Sequence, residues 1–269
     1  MNKILRYFLI FSTLSIIAFT VDATEWPDNP TFVMEPFGAA KGGHFSRGLS
    51  FLSEGQRVKA WGGGEVIWTS DSGDGLLVVE HEDGFRSSYN GIEKRPDLNR
   101  SVTRGEWLGY AGGDSWLFEI TDIKQSRIVD PITLLPSRKN LNSAPVGVVE
   151  LVNGSRHLEL MGEVELPPGR WTVVVSDFLS SGHDAIPVEV SLFWVGESIG
   201  SLRFDALEES DNGVVLETPE PFLFRHVYNP DGQLWFPDVL LNAGTGTLEL
   251  RIRDEIGRVV SRSWKLTVR

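Results

Sequence analysis

The sequence predicts an all-β chain, and three observations carry that reading. After residue 24 no stretch sustains a 3.6-residue apolar period before meeting one of the chain's 28 glycines or 14 prolines. Short β-branched or alternating runs recur instead, among them Val66-Ile67-Trp68, Leu76-Leu77-Val78-Val79-Glu80, Trp171-Thr172-Val173-Val174-Val175 and Leu248-Glu249-Leu250-Arg251-Ile252. Between the runs stand turn formers: Gly62-Gly63-Gly64, Asp71 to Gly75, Asp83-Gly84 and Asp231-Gly232.

The N-terminus reads differently from the rest. Lys3 and Arg6 precede an apolar run from Tyr7 to Phe19, and Val21-Asp22-Ala23 places small residues at a cleavage position after Ala23. That layout is a secretory signal peptide over 1–23, and the run falls short of the ~20 residues that span a bilayer. The chain is therefore expected to be exported to the periplasm or cell surface, touching a membrane only through this segment if it stays uncleaved. With no cysteine, stability must come from core burial, and thiol catalysis and cysteine zinc sites are excluded. A net charge of −12 argues against nucleic acid and anionic lipid, which recruit clusters of Lys and Arg.

The remaining chain divides at a polar stretch, Ser137 to Ala144, that lacks apolar alternation. The expected organisation is a first domain over 24–136, a linker over 137–146 and a second domain over 147–269. In the second domain, strand signals recur at sandwich-like spacing, and Pro167-Pro168-Gly169 and Asn242 to Gly246 each introduce a strong strand. This half resembles immunoglobulin-type or fibronectin-like β-sandwiches in a generic way.

The ordered features of residues 46–136 are more specific. Ser46-Arg47-Gly48-Leu49-Ser50 is followed by Gly55-Gln56-Arg57-Val58-Lys59-Ala60, and then by Leu77 to Phe85 with His81 inside it. Ser88-Tyr89-Asn90-Gly91-Ile92, Val102 to Gly112, Ser115-Trp116-Leu117-Phe118-Glu119-Ile120 and Val129-Asp130-Pro131 complete the set. Segment by segment this resembles the LytM/lysostaphin-type peptidase core, the M23 family. The resemblance implies a LytM-like β-sheet domain, followed here by the immunoglobulin-like sandwich.

In that family, zinc is held by a histidine and an aspartate of the first motif and by the second histidine of the last. The positions matching those ligands are Ser46, Ser50 and Leu117, and two further family histidines, which orient substrate and water, fall at Gly91 and Ser115. Zinc takes nitrogen, sulfur or carboxylate ligands. Neutral hydroxyls serve poorly and leucine not at all, so zinc is expected to be absent, with no metal or other cofactor and no catalytic residue. Without the metal there is no Lewis acid to polarise an amide or acidify water.

Of the five histidines, His44 sits two residues before the Ser46 position, reachable by a register slip but without its Gly and Asp companions; His81 reads as a structural, hydrogen-bonded histidine. Glu119 shares a strand face with Leu117 and is expected to meet a positive neighbour or a backbone donor. No Gly-x-Ser-x-Gly elbow and no phosphate-binding Gly-Lys-Ser/Thr is present. Trp61, Tyr89, Trp116 and Glu119 are the candidates for contacting a ligand in the cleft. Most of the indoles are expected in the core, with Trp61, in its glycine-rich turn, the one most expected at the surface.

The leading expectation is a catalytically inactive M23-like envelope protein that binds peptidoglycan or an envelope protein such as a cell-wall hydrolase. Two alternatives stand beside it: an active zinc endopeptidase with a rearranged metal site, and a structural envelope spacer.

Overall fold

Alternating apolar and polar side chains make Ser115–Asp122 a strand and decide which of its faces is buried. Trp116, Phe118 and Ile120 turn into the core at 2% exposure or less, while Leu117, Glu119 and Thr121 stay partly open. The structure, a computed structural model, describes residues 25–28, 33–53, 55–70, 75–139, 141–144, 146–176, 185–211, 213–218 and 222–269. The expected signal segment, 1–23, lies outside the described residues.

One edge of this strand pairs antiparallel with Phe85–Asn90, Leu117 opposite Asn90. The other edge is shared. Leu49–Leu52 takes the first part, with Leu117 opposite Ser50, and Arg127–Val129 takes the second, with Ile120 opposite Val129. Gly48 permits this crossing, since a Cβ there would lie 2.1 Å from the Phe118 carbonyl oxygen. Beyond Phe85–Asn90 the sheet continues through Leu76–Glu80, Gly64–Thr69 and Ser101–Val102. A separate small sheet sets Trp107–Ala111 between Arg57–Lys59 and Ile92–Lys94. The fold class is all-β, as the sequence predicts. Its helical elements among the described residues are a 3-10 turn, Pro131–Thr133, and one α-turn, Phe224–Val227.

The Val129-Asp130-Pro131 motif has a local reason. Asp130 Oδ1 accepts from the Ile132 backbone N–H at 3.0 Å and caps the 3-10 turn, whose first residue is a proline with no N–H to satisfy. Burial pushes the Asp130 carboxyl well above the usual carboxylate range.

The second half is a two-sheet sandwich. One sheet orders Arg156–Glu159, Val149–Asn153, Gly169–Val175 and Leu234–Leu241. The other orders Glu163–Leu166, Val259–Val268, Gly244–Asp254, Pro187–Trp194 and Glu197–Arg203, with Glu163–Leu166 parallel to Val259–Val268. Leu248, Leu250 and Ile252 alternate inward and are fully buried.

Between Arg203 and Leu234 the chain leaves the sandwich and joins the other half. Ala206–Ser210 pairs with Arg127–Val129, Ile128 opposite Leu207, and Gly213–Leu216 and Phe222–Leu223 extend the same sheet. Arg127 clasps Glu217 at 2.7 Å across this junction. The Tyr228 hydroxyl donates to the Gly38 carbonyl at 2.9 Å, and Phe45 packs edge-on against Phe224 and Tyr228, ring centres 5.4 and 6.0 Å away. Buried side chains of both halves form one contiguous apolar cluster. No helix among the described residues is long and apolar enough to cross a membrane.

The polar stretch between the halves is tied down rather than free. Arg138 makes a two-pronged pair with Glu255, Nε to Oε1 at 2.7 Å and Nη2 to Oε2 at 2.6 Å, both side chains 3% exposed or less. The Ile186 backbone N–H also donates to Glu255 Oε2, and Arg258 donates to the carbonyls of Leu141 and Asn142. Removing one member of a buried pair leaves the other charge uncompensated. Arg138→Met is therefore expected to lower unfolding free energy by roughly 3–5 kcal/mol in urea denaturation, and a loss under about 1 kcal/mol would show that Glu255 finds water or another partner.

Candidate binding cleft

The hydrogen-bond register of Ser115–Asp122 brings distant parts of the sequence to one place. With Leu117 opposite both Ser50 and Asn90, the end of this strand, the strand Leu49–Leu52 and the turn at Gly91 meet at one mouth. The two-strand hairpin Ala40–Lys41/His44–Phe45 forms the lip. Together they enclose a cavity of about 470 Å³ lined by Lys41, His44, Phe45, Ser46, Arg47, Ser50, Asn90, Gly91, Ser115, Trp116 and Leu117. All five positions where the M23 resemblance calls for ligands or working histidines, Ser46, Ser50, Gly91, Ser115 and Leu117, thus line the same pocket.

The residues at those positions do not suit zinc. Ser46 and Ser50 are neutral hydroxyls, 2% and 4% exposed, and the Ser46 hydroxyl donates to the Gly48 carbonyl at 3.3 Å. Leu117 offers no lone pair, and His44 is the one imidazole in the lining. Among the described residues no group of three His, Cys, Asp or Glu side chains is placed to hold a metal ion.

The change at Gly91 reaches the backbone. Its φ of +85° lies in the left-handed region, and a Cβ there would stand 3.1 Å from the Ser115 carbonyl oxygen and 3.3 Å from Trp116. A histidine at this site would be strained before it met any metal.

Charge at the cleft is set by Arg47. Its guanidinium faces Glu119 at 3.5 Å and Glu209, from the excursion of the second half, at 3.7 Å. Glu119 thus has the positive neighbour expected for it. Burial pushes its carboxyl up, Arg47 pulls it down, and Glu209 adds to the rise. Lys41 Nζ pairs with Glu35 at 3.0 Å.

The aromatic candidates require correction. Trp61 is 3% exposed and belongs to the core, not the surface. Its ring stands edge-on to His81 and Phe85, at 5.0 and 6.0 Å, and its backbone N–H donates to the Tyr89 hydroxyl at 2.8 Å. The glycine turn at 62–64 folds back over this indole instead of presenting it, because Gly62 and Gly64 pass within 3.2 Å of the His81 ring as measured from their absent Cβ positions. Tyr89 is likewise fully buried, and desolvation raises its phenol to about 12. Trp116 stacks on Phe51 at 4.8 Å and donates from Nε1 to Asp28 at 3.3 Å, so only its edge reaches the cavity. The exposed indole is Trp68, on Gly64–Thr69 and away from the cleft lining.

Behind the cleft, His81 fills the structural role expected of it. Nδ1 lies 2.8 Å from the Gly63 carbonyl, which only accepts, so Nδ1 carries the proton. Nε2 then accepts from the Ser87 hydroxyl at 2.8 Å, and Ser87 lies 3.2 Å from the Tyr89 hydroxyl. The sequence reading missed Lys41, Arg47 and Asn90 as cleft residues. The Gly42-Gly43 pair between Lys41 and His44 signals a hairpin and would have flagged the first.

A protein-family model matches residues 145–269, the sandwich half. Among curated proteins none matches the chain. Solved structures similar to it include Helicobacter pylori Csd3, 19% identical at a TM-score of 0.36 over 44% of this chain and 34% of that one. A chain of a SpoIIIAH and SpoIIQ complex is 17% identical at 0.36, over 42% and 99%. A putative M23 peptidase from Pseudomonas aeruginosa is 25% identical at 0.26, over 36% and 48%. At TM-scores this low the likenesses do not bear on function, and the site stands on its own residues.

Burial holds the His81 imidazole below its ordinary value, outweighing the opposing contributions of the Gly63 carbonyl and Asp83. The folded state therefore binds fewer protons than the unfolded chain, and His81 stabilises the fold above the unfolded value of about 6.5, losing that contribution as pH falls below it. The difference in Tm between wild type and His81→Gln should accordingly shrink as pH is lowered from 7 to 5. An NMR titration placing the His81 midpoint at or above 6.5 would contradict this.

Proposed function

We propose that this chain is a non-hydrolytic binding protein of the cell envelope, whose LytM-like cleft holds a peptidoglycan stem peptide or an exposed segment of a protein such as a wall hydrolase. The observation that carries this reading is the convergence of Ser46, Ser50, Gly91, Ser115 and Leu117 on one cavity, where, among the described residues, no group of three His, Cys, Asp or Glu side chains is placed to hold a metal ion. Hydroxyls, an amide and an apolar wall suit hydrogen bonding to a peptide backbone and packing of a side chain. A cavity of about 470 Å³ falls in the range of ligand pockets, ~300–1,000 Å³. The proposal includes export, zinc independence and an immunoglobulin-like role for the sandwich as support of the cleft.

A second reading, an endopeptidase with a rearranged metal site, has one observation in its favour: His44 lines the same cavity. A single imidazole does not complete a zinc site, which takes three protein ligands in hydrolases.

Sedimentation with purified peptidoglycan, and a parallel binding measurement with a purified wall hydrolase, test the proposal. Wild type is expected to bind one of them without releasing soluble wall fragments. Ser115→Trp, which fills the mouth at an exposed position, should weaken that binding about tenfold or more at unchanged Tm. Release of fragments that stops on chelation would establish the endopeptidase. Binding to neither target would favour the spacer.

A further inference from the structure

The charged side chains in the cleft lining are of one sign. The protein has a net charge of −12, yet the charged groups lining the cavity are cationic, Lys41 and Arg47, with no carboxylate in the lining. Hydroxyls of Ser46, Ser50 and Ser115 and the Asn90 amide add neutral hydrogen-bonding groups, while Phe45, Trp116 and Leu117 supply apolar wall. Each of these cations already pairs with a carboxylate from outside the lining, so an anionic ligand would enter by exchanging partners and not by a net positive field.

Resting on the binding reading above, we propose that the cleft recognises a carboxylate carried by a peptide, at its C-terminus or on an acidic side chain. Protein carboxylates already occupy the two strongest cations, which shows what those cations accept. Lys41 Nζ is 3.0 Å from Glu35, and Arg47 is 3.5 Å from Glu119 and 3.7 Å from Glu209. The Arg47 contacts are long for charge-assisted hydrogen bonds, which run at ~2.7–2.9 Å, so a ligand oxygen has room to approach the guanidinium more closely than Glu119 and Glu209 do. The cavity is also far larger than an inorganic anion needs, and its apolar wall has no use for one. Sugar stacking is disfavoured because Trp116, the indole in the lining, is 2% exposed.

Four blocked peptides, acetyl-Ala-Ala-Ala acid against its C-terminal amide and acetyl-Ala-Glu-Ala-amide against acetyl-Ala-Gln-Ala-amide, separate the two carboxylate sources by calorimetry on the full chain. At low salt the acid of at least one pair is expected to bind about tenfold or more tighter than its neutral partner, and the preference should shrink as salt is raised. Lys41→Gln and Arg47→Gln should each reduce or remove the preference of the acid over its neutral partner, and a variant that keeps the full preference would overturn the role given to that cation. Should Arg47→Gln fail to fold, Lys41→Gln and the salt titration decide. Equal binding of acid and neutral peptide, no binding of any peptide at 10 mM (roughly, a weaker than −3 kcal/mol interaction), or equally tight binding of inorganic phosphate would overturn the carboxylate inference. If the wall or hydrolase is still bound and Ser115→Trp still weakens it, the cleft reading stands without this one; if that binding is also absent, both fall.

Discussion

A strand side chain points to one face or the other, and that two-residue period along Ser115–Asp122 constrains everything around it. Trp116, Phe118 and Ile120 are committed to the core, so Leu117 and Glu119 must face the cleft side. The two flanking strands then have no freedom in what they bring: Ser50 arrives opposite Leu117 from one edge and Asn90 from the other, with Gly91 at the turn beyond. A one-residue slip would bury Glu119 and expose Phe118. The cavity is therefore a consequence of core packing. Packing of this kind fixes where the five rim positions lie while leaving them free to carry hydroxyls, glycine and leucine.

The second half of the chain contributes to that rim. Its excursion adds strands beside Arg127–Val129, sends Glu209 toward Arg47 and sets Phe224 and Tyr228 against Phe45 of the lip. The lip hairpin is short, two residues on each strand, and such a piece is not stable by itself. Aromatic packing from this excursion and the Tyr228 hydrogen bond to Gly38 hold it in place. In the proposed role, the excursion supports the lip of the cleft.

Much of the architecture was legible in the sequence because it is written in local chemistry. Strand runs at Leu76–Glu80, Gly169–Val175 and Gly244–Asp254 carry alternation or β-branching, and turn residues bound them. The convergence of Ser46, Ser50, Gly91, Ser115 and Leu117 was accessible through ordered motifs. What the sequence hid is long-range. Nothing local marks Ala206–Ser210 as a partner for Arg127–Val129, and nothing marks Arg138 as the mate of Glu255, more than a hundred residues away. Trp61 misled for a related reason: glycines beside an indole suggest exposure, but here they allow the close approach of the backbone to the His81 ring. Gly91 shows the converse, where a glycine read as a lost histidine proves to hold a backbone conformation of its own.

The proposed binding role rests on a cleft lining that offers one imidazole and neutral hydroxyls where a divalent ion would need more ligands. Calorimetric titration of the full, metal-stripped chain with zinc at neutral pH tests it most directly. The account predicts no saturable site tighter than about 10 µM, since one imidazole and neutral hydroxyls leave the coordination sphere unfilled. One equivalent bound with submicromolar affinity, and lost in Ser50→Ala or His44→Ala, would contradict it.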